Sequence, residues 1–199
     1  MRKSVLGLIL IGATVAATTY GDIIPTLDPT PPAFLGVSSG GPLYTWNYTA
    51  NVTVDQTVTP GSFFTIYDFG TFLSGSNLQP VGWTFSSALL GHSPSLVTPN
   101  DDPTLANLTW TYTGNTPING AAALGNFSVV VLRTNQLRSS DFAAEAVRSG
   151  GPNVGTVVDN VGQVSVPIPE MSALLPILSV CGVSLIVGLP TALRRRNKI

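Results

Sequence analysis

The chain has 199 residues, with nine Lys or Arg against ten Asp or Glu, one cysteine and one histidine. The near-neutral total hides an uneven layout: between Asp22 and Val166 nine acids face only Arg133, Arg138 and Arg148, a net charge of −6. A body without clustered cations cannot neutralise phosphates, which excludes a nucleic-acid partner, and the lone Cys181 excludes a disulfide within the chain.

In chain order, Met1-Arg2-Lys3 is a positive start, Val5 to Ala17 is uncharged and mostly apolar, and small residues follow up to Thr19. That layout predicts a secretory signal peptide over residues 1–21, cut between Ala17 and Asp22, with the secretion machinery and signal peptidase as partners. Residues 22–42 carry prolines at 25, 29, 31, 32 and 42 and are expected as an extended lead-in. The body proper is expected over residues 43–166, and 22–166 is long enough for one domain with a real core.

Leu43 to Val54 is rich in aromatic and β-branched residues with period-2 alternation, a strand pattern. Pro60-Gly61 then precedes a second strand over Ser62–Tyr67. Val81–Ser87, Ala106–Tyr112, Asn126–Leu132, Phe142–Val147 and Gly155–Val166 continue the series, separated by turns such as Thr113-Gly114-Asn115 and Ser149-Gly150-Gly151-Pro152. Ala143 to Ala146 could form one helical turn, but its flanks favour a strand. Many short strands with regular Gly, Pro and Asn breaks predict an all-β fold: one antiparallel β-sandwich of jelly-roll or Ig-like type.

After Pro167-Ile168-Pro169-Glu170 no charged residue occurs until Arg194. The uncharged stretch exceeds the roughly 20 helical residues that cross a bilayer core, so a transmembrane helix is expected over 172–193. Arg194, Arg195, Arg196 and Lys198 then form a basic stop, which places the tail in the cytoplasm and the body outside. Cys181 falls inside the span, where a small apolar filler is its ordinary role.

This order of Pro-Glu element, apolar span and terminal arginine cluster resembles the PEP-CTERM sorting domain of Gram-negative bacteria. By that resemblance Pro169 and Glu170, preceded by Pro167, match the start of the Pro-Glu-Pro element, and Arg194, Arg195 and Arg196 match its basic stop. Met171 stands where the second proline of that element is usual. The resemblance implies handling by exosortase, a membrane enzyme, with an intermediate held in the inner membrane and a product at the cell surface or outside the cell. Phe63 to Phe69, Gly82-Trp83-Thr84, Asp101-Asp102-Pro103, Asn107 to Tyr112 and Gly151 to Gly155 are similar to a series in exported β-rich proteins of this kind. That similarity covers most of residues 43–166 and implies no activity.

The candidates for chemistry are sparse. His92 is the only imidazole, so neither a zinc site nor a serine nucleophile at Ser93 has the partners it needs. Asn100-Asp101-Asp102 offers oxygens to calcium but lacks the spaced loop, and Asp side chains capping backbone N–H groups explain it more simply. Trp83, Trp110 and Tyr112 could stack on sugar rings, although packing in the core is the commoner use of strand aromatics. Sequons at Asn47, Asn51, Asn107 and Asn126 lie in predicted strands of a Thr-rich chain. The sequence therefore predicts no catalytic residue, no cofactor and no metal. It points to an exported, non-enzymatic component of the cell surface or extracellular matrix with a structural or adhesive role, with exopolysaccharide as a possible associate. The rival is a carbohydrate-binding module.

Overall fold

The computed structural model describes residues 22–169, and its regular elements are strands: β1 (Ile23–Leu27), β2 (Ala33–Ser38), β3 (Gly41–Val52), β4 (Gln56–Val58), β5 (Phe63–Ile66), β6 (Trp83–Ala88), β7 (Asn107–Tyr112), β8 (Ile118–Asn119), β9 (Ala122–Leu132), β10 (Leu137–Arg148) and β11 (Val157–Pro167). Among the described residues no helix is long and apolar enough to cross a membrane. The expected signal peptide and the helix over 172–193 lie outside the described residues.

Two antiparallel sheets form, an arrangement compatible with a β-sandwich. In the first, β3 is central: β9 pairs along one edge, while β2 and β1 share the other end to end. The second runs β6-β7-β5-β10-β11, with β4 and β8 extending it where β5 stops. Alternation along β3 explains the packing, since Trp46, Tyr48, Ala50 and Val52 are buried while the residues between them are not. From the facing sheet come Phe64, Ile66, Leu108, Trp110, Phe142, Ala144 and Val164, all in one core cluster. Phe127 of β9 joins the layers, its ring edge-on to Phe64 at 5.0 Å, Trp83 at 5.0 Å and Trp110 at 5.8 Å.

Residues 22–42 are not a lead-in. They supply β1 and β2, with Ile23 and Pro25 buried and Ile23 to Leu27 paired against Val52 to Tyr48. Prolines mislead here because β1 is an edge strand, where a missing N–H costs no ladder bond. Ala143 to Ala146 lies within β10 and is strand.

The register gives the domain two ends. Asp22 lies beside Thr53, and the last residues of β3 and β10 lie at the same distal end as the turn over 149–156. The opposite, exit end gathers the β2–β3 turn, the end of β9, the start of β10 and the end of β11, where the described residues end at Pro169.

Candidate functional site

At the exit end, the proline element that begins the predicted sorting signal is partly locked into the fold. Pro167 is buried and pairs with Leu137, and its carbonyl accepts a hydrogen bond from Arg138 Nε at 3.1 Å. The same guanidinium donates to the carbonyl of Asp68, so it ties β11 to the turn after β5. Ile168 N donates to Gln136 O at 3.0 Å. Only Pro169 is left, half-buried at the mouth of a cavity of about 250 Å³ that Phe69, Phe72, Val131 and Thr134 also line. Glu170, Arg194, Arg195 and Arg196 lie outside the described residues.

The three aromatics put forward for glycan stacking do not form a platform. Trp83 is 5 %, Trp110 0 % and Tyr112 5 % exposed. Trp110 and Tyr112 share a face, as their spacing requires, and that face is the inner one. Trp83 lies 5.3 Å from Tyr112, and Trp110 stacks on Phe64 at 5.2 Å. Burial of large aromatic area outweighs any binding use of these rings.

Across the outer face of the second sheet runs a strap, from Leu89 to Ala106, whose place could not be read from the order of residues. Carboxylates hold it down. Asp101 accepts from Gly91 N at 2.8 Å and from Asn107 Nδ2 at 2.8 Å, Asp141 from Asn100 N at 2.7 Å, Asp159 from Leu96 N at 2.7 Å, and Asp68 from Asp102 N at 2.7 Å. The acids of the Asn100–Asp102 turn thus cap backbone donors, and hydrogen bonds from Thr104 hold the Asp102 carboxyl below its ordinary range. Among the described residues no group of three or more His, Cys, Asp or Glu gathers as a metal site would require.

The strap also accounts for His92 and Ser93. The imidazole packs on the Phe63 ring at 4.1 Å, and the Tyr67 hydroxyl donates to His92 O at 2.9 Å and bonds Ser93 Oγ at 2.8 Å. Burial pushes the Tyr67 hydroxyl up. Ser93 therefore faces a phenol rather than a base, and the residues of this loop serve to seat it. The Asn107 sequon is buried, with its amide donating to Asp101 and to Leu89 O, whereas Asn51 and Asn126 are exposed.

The distal end holds the groups that sequence reasoning missed. Asp22 is fully buried, and among the described residues its carboxyl meets only the amides of Ile23 and Ala146, neither in good hydrogen-bond geometry; Thr53 Oγ1 and Gln56 Oε1 nearby are buried and unpartnered there. Desolvation pushes Asp22 up to about 8, against a partial pull from the amides of Ile23 and Ala146, while Asp159 and Glu145 add like-charge repulsion. Beside it a cavity of about 480 Å³ is lined by Thr53, Asp55, Gln56, Arg148 and Asn160. The sequence offered no signal for this acid, since residues 22–42 read as a lead-in.

No family model matches the chain, and no curated protein matches it significantly.

Proposed function

We propose that this is an exported, non-enzymatic domain of the cell surface or extracellular matrix with a structural or adhesive role. It passes through the secretion machinery, loses residues 1–21 to signal peptidase, and is held in the inner membrane by 172–193 until an exosortase-type enzyme acts at the Pro169–Glu170 element. Exopolysaccharide is its expected neighbour.

One observation supports this reading best: the described residues between the two expected targeting segments hold a core of their own. β1 starts at Ile23, β11 ends at Pro167, and the core cluster Ile23 to Val166 lies between them. Both apolar ends are also hard to fit into one bilayer, because Asp22 and Pro169 lie at opposite ends of the domain, roughly 35–40 Å apart along the 12-residue β3. The outer-face carboxylates are engaged by backbone donors, which favours a structural over a catalytic use of them. The test is fractionation of cells that express either the full chain or a chain ending at Pro169. The account expects the full chain in membranes and the shortened one free outside the inner membrane. Equal membrane retention of both would overturn it.

A second reading, glycan binding, has lost its aromatic basis. What favours it is the distal cavity, whose lining includes the polar residues Thr53, Asp55, Gln56 and Asn160. Saturable oligosaccharide binding that Gln56→Leu abolishes would establish it, and no binding across a panel of neutral and acidic glycans would end it.

A further inference from the structure

We propose that the exit end of the domain lies against the lipid surface, seated through Val37, Leu73, Leu89 and Ile168. The inference rests on the reading of 172–193 as a membrane span and adds which face of the folded unit meets the bilayer.

The decisive quantity is the tether. Only Glu170 and Met171 separate Pro169 from the start of the apolar segment at Ser172. At roughly 3.3–3.6 Å per extended residue, the three steps from Pro169 to Ser172 reach about 10 Å at most. The headgroup layer on each side of the hydrocarbon core is itself about 5–8 Å thick. Pro169 can therefore rise at most about 2–5 Å beyond the headgroups, and slack cannot come from upstream. Ile168 N is bonded to Gln136 O, and the Pro167 carbonyl is held by Arg138.

The surface that this brings down has apolar side chains to offer. Val37 is 75 % and Ile168 44 % exposed, and Leu73 and Leu89 are also exposed. Val37 sits on the β2–β3 hairpin, whose turn is joined to the end of β9 by Arg133 Nε donating to Gly40 O. Leu73 lines the cavity that opens beside Pro169, and Leu89 lies on the neighbouring rim with Phe72. Charge gives no preference, since Arg133 and Asp102 are both exposed here, so apolar contact is what seats the domain. At about 25 cal/mol per Å², even partial burial of these four side chains contributes favourably. Exposed apolar residues also occur at the distal end, at Val54 and Val154, but the tether cannot bring those to the membrane.

Two consequences follow. The distal cavity with Thr53 and Gln56 points away from the lipid. A processing enzyme meets only the few residues from Pro169 to Met171 between the folded domain and the bilayer, so cutting upstream of Pro169 requires the end of β11 to unpair.

The test uses the full chain in phosphatidylcholine vesicles with an environment-sensitive fluorophore on one thiol. Wild type is labelled at Cys181, its only cysteine, and Val37→Cys and Val154→Cys are labelled in a Cys181→Ser background. Both new sites are exposed, so the fold tolerates them, and circular dichroism checks this. The account expects deep nitroxide lipids to quench the label at 181. It expects headgroup nitroxides to quench the label at 37 several-fold more than that at 154. Strong quenching at 181 with equal, weak quenching at 37 and 154 would overturn the docking and leave the span standing. No quenching at 181 would overturn the span and the docking with it.

Discussion

Replacing Asp22 by Asn should change how stability depends on pH. The carboxyl is fully buried, is only weakly served by the amides of Ile23 and Ala146 and is pushed up to about 8 from 3.8. A carboxyl raised on folding binds its proton more tightly in the native state, so it stabilises fully below the unfolded value. That contribution fades as pH climbs from about 4 towards 8. A shift of about four units at 1.36 kcal/mol each makes the loss on the order of 5 kcal/mol, a large part of a typical domain's 5–15 kcal/mol. Asn cannot titrate, so the variant should escape the loss. Its new N–H donors add a pH-independent penalty of about 1–3 kcal/mol if they stay unpaired. The slope is therefore the test, not the offset. Glu145 is also raised, by burial and by Asp159, but it is present in both proteins, and only its repulsion of Asp22 differs between them. Urea unfolding of the full chain in detergent, followed by fluorescence of the buried Trp46, Trp83 and Trp110, reads the difference at pH 5 and pH 8.5. The variant should gain several kcal/mol on wild type between the two. The same difference at both pH values would refute the argument that burial dominates the titration of this acid.

Three further substitutions test the packing. Phe127→Ala, which removes the ring that joins both sheets, should cost about 3–5 kcal/mol by the same unfolding assay. Asp141→Ala leaves Asn100 N without its acceptor and should cost about 1–3 kcal/mol; limited proteolysis should then cut within Leu89–Ala106 before the rest of the domain. Gly91→Ala places a Cβ 2.3 Å from the Tyr67 ring and should destabilise by about 1–3 kcal/mol, with strap cleavage by the same protease as the marker.

The long strands were legible because their sequences alternate or carry aromatic and β-branched runs: β3, β5, β6, β7, β9, β10 and β11 all overlap their predicted spans. β1 and β2 were hidden by Pro25, Pro29, Pro31 and Pro32, since proline counts against a strand unless the strand is known to be an edge. β4 and β8, with three and two residues, are too short to show a period. Spacing gave the shared face of Trp110 and Tyr112 but not which side it met, because that depends on a partner sheet far away in sequence. The Asp22 carboxyl and the strap were invisible for the same reason: their surroundings arise only on folding.

The central claim is that the C-terminal segment is a sorting signal appended to a finished domain. Mass spectrometry of the mature C-terminus, from membrane and extracellular fractions separately, tests it most directly. The account predicts loss of everything beyond the Pro169–Glu170 region in the extracellular pool, with the full tail confined to membranes. An intact chain through Ile199 in every fraction, from a host that has exosortase, would contradict it.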